Sequence, residues 1–257
     1  MGCEVLQIFT KNQLQWFASP LPLRECERFY RAWRESGISA VVSHASYLIN
    51  LAGEEPLRGK SMEALIDEIE RCAHLGIEDL VLHPGAHLGQ GLEKGFLNLT
   101  EGLRVVLDRT ENTRVRILLE NMAGQGTVLG ARVDFFRAVL QGLDWSGRIG
   151  LCLDTCHLFA AGYELREKGS YEHFVKNLEK NFGLERIGCW HLNDSKAEKG
   201  SRRARHQHLG EGELGLKFFS ILLSDSRWDN VPLILETPKC GVGDCGNMVL
   251  LRKLRGH

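Results

Sequence analysis

Residues 149–157 read IGLCLDTCH, an apolar run that ends in a carboxylate, with a histidine three residues further on. A near-continuous apolar run of this kind suits a strand buried on both faces, as in a parallel sheet. Similar runs recur along the chain: EVLQIF from Glu4, ISAVVSH from Ile38, DLVLHP from Asp79, VRILLEN from Val115, RIGCWHL from Arg186 and VPLILET from Val231. Between them lie stretches with helical amphipathic spacing. The clearest is SMEALIDEIERCAHLG, with Ser61 as the expected N-cap and Gly76 as the stop. Alternating strands and helices over 257 residues predict an α/β fold, a TIM (β/α)8-type barrel in a single domain. The strand count is seven, one short of that barrel, because the first run starts almost at Met1. No linker, low-complexity tract or second domain interrupts residues 1–257.

The ends of the runs carry the chemistry. His44 closes one, His83 the next, and Glu120, Asp154, His191 and Glu236 follow in turn. In a parallel barrel these carboxyl ends share one face, where active sites of the fold sit. Imidazoles and carboxylates converging there are the donor set of a divalent-metal site, with carboxylates able to bridge two ions. His157, and His206 and His208 in the loop SRRARHQHLGEG, stand just beyond the strands as further donors.

Composition narrows the reading. The chain is 43% hydrophobic and 25% charged, ordinary for a globular protein. Its net charge of -1 announces no polyanionic partner, so binding to DNA would rest on local basic patches and metal ions. Arg202, Arg203 and Arg205 form the most basic run. The eight cysteines (3, 26, 72, 152, 156, 189, 240 and 245) are scattered, several within apolar runs, and read as reduced, mostly buried thiols. Cys152 and Cys156 flank Asp154, and packing is the expected role of both. No apolar stretch approaches the ~20 residues of a membrane span, so a cytoplasmic protein without a membrane partner is expected.

Eight stretches together, FTKNQLQW, SHASYLINLA, HPGAH, LLENMAGQG, LDTCHLFAAGYEL, HLNDSK, GSRRARHQHLGEG and LILETP, resemble endonuclease IV over nearly the whole chain. This is the zinc-dependent deoxyribonuclease IV group, AP endonuclease family 2. The resemblance implies hydrolysis of the phosphodiester 5′ to abasic sites in duplex DNA, leaving a 3′-hydroxyl, by a monomer carrying up to three Zn2+ ions. It implies that His44 and His83 hold one zinc, bridged by Glu120 to a second that Asp154, His191 and Glu236 complete. His157 and His206 would hold a third. Glu120 and Glu236 would serve the nucleophile, while Gln13, Tyr47, Arg202 and Arg205 would meet the DNA.

Three departures accompany the resemblance. Ala204 stands where the family has an aspartate ligand to the third ion, and His208 is a candidate substitute. Leu14 replaces an arginine that relatives commonly use to probe the base stack. The family's first strand and helix, with a glycine-rich DNA-contacting loop, have no counterpart before Met1, which points to an N-terminally shortened barrel with two sheet edges to manage. Gly124 and Gly126 read as turn formers. Two rival readings remain: a divalent-metal sugar isomerase or epimerase, and a catalytically impaired metal-binding protein that recognises damaged DNA.

Overall fold

The computed structural model describes every residue except Met1, Cys240, Val242 and His257. The seven apolar runs form seven parallel strands: β1 (Val5–Ile8), β2 (Ala40–His44), β3 (Asp79–Leu82), β4 (Arg116–Glu120), β5 (Ile149–Asp154), β6 (Ile187–Leu192) and, after a short antiparallel hairpin of β7 (Asp194–Ser195) and β8 (His206–Gln207), β9 (Leu233–Leu235). They pair in the order β1-β2-β3-β4-β5-β6-β9. The helices that return the chain between strands include α1 (Leu23–Ser36), α2 (Leu57–Leu75), α3 (Leu92–Arg109), α4 (Val133–Gly142), α5 (Thr155–Ala161), α6 (Lys168–Phe182) and α7 (Gly215–Leu223), and α8 (Gly243–Arg255) follows the last strand. Among the described residues no helix is long and apolar enough to cross a membrane.

Ser61 is not the start of its helix. Helix α2 begins four residues earlier, after Pro56, and the Ser61 hydroxyl donates to the Leu57 carbonyl while accepting from the Asn50 amide. A mid-helix serine satisfies its hydroxyl in this way on the carbonyl of the preceding turn. Gly76 does end the helix, in the left-handed conformation at φ 73°.

Alternation along each strand divides the core in two. One set of side chains, including Leu80, Leu82, Ile117, Leu119, Leu151, Leu153, Trp190 and Leu192, packs outward against the helices. The other set fills the barrel: Val5, Val42, Val81, Leu118, Cys152, Cys189 and Ile234 form one cluster with a contribution from each of the seven strands. Leu118 reaches across this interior because Gly150 and Gly188 leave room; a Cβ at either would lie 2.7 or 2.6 Å from its methyl carbon. Gly188 is also a bulge. Leu151 pairs with Ile187 but Cys152 with Cys189, so one extra residue is inserted in β6.

The barrel is nearly closed. β1 and β9 do not share a backbone ladder, yet Gln7 on β1 donates to Glu236, just after β9, at 2.6 Å. The edges that seven strands leave therefore face each other across a side-chain bridge, which protects both from foreign pairing. Arg252 of α8 adds a bond to the Gly2 carbonyl on the same side.

Candidate metal centre

Each predicted strand-end donor sits two residues after a member of the apolar barrel cluster: His44 after Val42, His83 after Val81, Glu120 after Leu118, Asp154 after Cys152, His191 after Cys189 and Glu236 after Ile234. A spacing of two keeps a strand side chain on the same face. The dry floor and the polar mouth are thus one continuous interior surface.

The donors gather into three overlapping groups. His44, His83 and Glu120 form the first; Glu120, Asp154, His191 and Glu236 the second; Asp154, His157 and His206 the third, with donor atoms in each within 4.8 Å of one another. Glu120 belongs to two groups, as does Asp154. The eight residues that the resemblance implied as ligands come together. His208 does not: it is buried beyond the hairpin, where its Nδ1 meets the Asn247 amide at 3.0 Å. The substitute expected for the missing aspartate is therefore absent from the third group: β8 ends at Gln207, and beyond it His208 is held by Asn247 of α8, whereas His206 is held against the Glu236 carbonyl. The carboxylate within reach is Asp154, whose Oδ2 lies 3.6 Å from His206 Nε2.

Ring orientation is set from behind. Nδ1 of His44, His157 and His206 faces a main-chain carbonyl, of Ala45 at 2.7 Å, Asn121 at 3.0 Å and Glu236 at 3.1 Å. A carbonyl only accepts, so each Nδ1 carries a proton and, in the neutral ring, Nε2 keeps its lone pair for a metal. His191 is turned the other way. Its Nε2 contacts Gln7 Oε1 at 2.8 Å, and its Nδ1 lies 3.2 Å from Glu236 Oε2 and 3.5 Å from Glu120 Oε1. The Gln7 amide nitrogen is committed to Glu236, so its oxygen must accept from His191. Gln7 went unnoticed in the sequence, although it follows Val5 by the same two residues.

Two buried atoms in this cluster, Glu120 Oε1 and His191 Nδ1, lack a hydrogen-bond partner among the described residues. Burial alone would push the Glu120 carboxyl up, but His191, His83 and His157 hold it well below the usual range. Burial likewise pulls His157 down, yet the Asp154 and Glu120 carboxylates outweigh it and raise the ring to about 9. Glu236, pushed up by burial, is drawn down to about 2, chiefly by His191. Protons on the rings here balance the carboxylates that a divalent cation would balance instead. Lone-pair nitrogens, bridging carboxylates and orphaned inward atoms fit a multinuclear site for zinc or a similar ion.

Two anchors that the sequence did not reveal hold the surrounding loops. The Asp194 carboxylate accepts from the backbone amides of Ser195, Gly210, Leu214 and Gly215, fixing the loop that carries His206. Lys11, almost fully buried, bonds Asp67 at 2.8 Å, lies 3.4 Å from Glu68 and also donates to the Trp16 carbonyl. Glu68 accepts from the Ser46 amide, and the Ser46 hydroxyl donates to the Gln13 carbonyl, so the loops bearing Gln13 and Tyr47 are tied together. Tyr47 is half exposed and packs on the rings of His44 and His83, which combines packing with access to the mouth. Leu14, Arg202, Arg203 and Arg205 are exposed. Gly124 and Gly126 adopt positive φ, as turn formers do. None of the seven described cysteines is in a disulfide, and Cys240 lies outside the described residues.

Comparison with known proteins places the fold first. Residues 1–245 match the xylose isomerase-like TIM barrel family. A D-tagatose 3-epimerase-like protein shares the fold, with a TM-score of 0.74 at 19% identity. Closer matches define the branch. The "probable endonuclease 4" of Chloroflexus aggregans is 43% identical over 99% of this chain and 90% of its own length, and that of Geobacter sulfurreducens 41% identical over 99% and 86%. Endonuclease IV from Thermus thermophilus superposes with a TM-score of 0.87 at 35% identity, over 98% of this chain and 89% of that one. The chain belongs to the endonuclease IV family, and it is a nuclease of the metal-dependent phosphodiesterase class.

Proposed function

We propose that this protein incises duplex DNA at abasic sites, hydrolysing the phosphodiester 5′ to the lesion and leaving a 3′-hydroxyl, with up to three zinc ions. The observation that carries the reading is the overlap of three donor groups through Glu120 and Asp154. A sugar epimerase needs only one or two ions, and the third group built from His157 and His206 would have no part in it.

His44, His83 and Glu120 would hold one ion, Glu120, Asp154, His191 and Glu236 a second, and Asp154, His157 and His206 a third. Zinc bound there supplies positive charge against the phosphoryl oxygens and lowers the pKa of water toward neutrality. Glu236, whose Oε1 accepts from Gln7 and whose Oε2 lies 3.2 Å from His191 Nδ1, would help position the attacking water. Asn193 donates to Asp154 at 2.6 Å and the His157 amide at 2.7 Å, which fixes the carboxylate shared by two groups. Arg202, Arg203 and Arg205 neutralise backbone phosphates on one side of the mouth. Gln13 and Tyr47, on loops tied together through Ser46, would meet the DNA as well. Leu14 supplies an exposed apolar wedge for the base stack, a role that aliphatic side chains fill in other DNA-bending proteins. An abasic nucleotide leaves the helix at lower cost than an intact one, since it has no base to unstack. The protein acts in the cytoplasm, where it meets chromosomal DNA.

The test is a labelled duplex with one synthetic abasic site, incubated with the purified chain with and without chelator, beside the Ala204→Asp variant. A single chelator-sensitive nick 5′ to the lesion is expected from both, with Ala204→Asp retaining it at lower free zinc. Absence of nicking by both, in soluble metal-loaded protein, refutes the reading.

A further inference from the structure

Directly below the donor layer, Cys152 and Cys189 oppose each other across the β5–β6 ladder. Both are fully buried, and their sulfur atoms and a His191 ring nitrogen lie within 4.8 Å of one another. The bulge at Gly188 creates this arrangement. In an unbroken ladder Cys152 would face Gly188; the inserted residue brings Cys189 opposite Cys152, inside the barrel. Around the pair lie the apolar side chains of Val42, Val81, Leu118 and Ile234, and the Cys189 thiol donates to the Trp190 carbonyl at 3.6 Å.

This donor set differs in kind from the one above it. Carboxylate and imidazole groups suit borderline ions, whereas two sulfurs and one imidazole select soft, thiophilic ones. We propose that Cys152, Cys189 and His191 form a second metal site that takes a thiophilic cation such as cadmium, copper(I) or surplus zinc. Each metal–sulfur bond forms with release of the thiol proton to solvent, and no electron is transferred. Filling this site engages His191 and withdraws it from the Glu120–Asp154–Glu236 group. That consequence for catalysis rests on the function proposed above; the binding itself does not. The site is therefore the point at which soft metals disable the enzyme from within the barrel.

Cadmium is the probe, because its bond to thiolate gives an ultraviolet charge-transfer band that the imidazole–carboxylate centre cannot produce. Titration of the full-length, metal-free chain should raise that band to saturation at about one equivalent, as one soft site requires. The band should vanish in Cys189→Ala and in Cys152→Ala and persist in Cys245→Ser, a substitution at an exposed cysteine. Cadmium X-ray absorption on the unaltered protein should show sulfur and nitrogen neighbours together, a readout that depends on no variant's folding. In parallel, abasic-site nicking should fall as the band grows, and Cys189→Ala should keep its nicking in cadmium. No band, a band that survives loss of either cysteine, or cadmium with only nitrogen and oxygen neighbours overturns the site. A cysteine-dependent band with undiminished nicking overturns the withdrawal of His191. A cysteine-dependent band in a protein that never nicks abasic DNA upholds the site while the function reading falls.

Discussion

The donors on the strands and the donor on the hairpin reach the same mouth by different means. His44, Glu120, Asp154 and His191 are strand residues, each paired in a parallel ladder, His191 on both sides, and seated two residues above a dry floor. His206 rides on β8, a two-residue strand whose one partner is β7, at the end of a loop that carries three exposed arginines. The ladder fixes the first kind of donor before any ion arrives. The second kind depends on a single carboxylate, Asp194, gathering four amides of its own loops. Ala204, where the resemblance implies an aspartate ligand, falls on the second kind. A loop position can lose a ligand without disturbing the barrel, whereas a strand-end donor shared by two groups cannot be lost without unsettling both.

The comparison can be broken first at Glu120. Glu120→Gln removes a charge from two groups at once, and kcat/KM for abasic-site nicking should fall at least about a thousandfold. Bound zinc, measured by elemental analysis, should drop by more than one ion per chain. Retention of full metal content would show that Glu120 does not bridge. On the hairpin side, His206→Ala should cost about 10- to 100-fold in activity while leaving the strand-borne ions in place. An equal loss of all zinc would erase the distinction between the two kinds of donor.

The loop anchors offer a finer cut. Lys11→Met leaves the buried Glu68 without its cation while Arg71 still holds Asp67, and urea unfolding should show a loss of about 3 kcal/mol. Metal content should be unchanged, since this network lies behind the loops; an unchanged stability would mean that the pair is not a structural tie. The smallest effect expected is an acid one. Burial raises the Asp67 carboxyl, but the hydrogen bonds from Lys11 and Arg71 outweigh it and leave it lowered. A depressed folded pKa contributes stability above the unfolded value of about 4, lost as pH falls through the folded value. Asp67→Asn should remove that part of the acid sensitivity in pH-dependent melts, and an identical profile would sink the assignment.

The sequence by itself determined the seven strands, the donor at the end of each of six, and the family, because strand burial and end chemistry are local and repeat with a short period. It also marked Ala204 as an expected departure from the family, a property of one position. The tertiary structure alone decided the rest. Gln7 turns out to close the seam and orient His191, across 229 and 184 residues of chain to its two partners. His208 leaves the centre because β8 ends before it and Asn247 of α8 holds its ring. One extra residue in β6 puts two cysteines face to face beneath the metal layer. These outcomes depend on register between distant strands and on which acceptor stands behind each ring. Register is set by the packing of the whole barrel, and no window of sequence contains it.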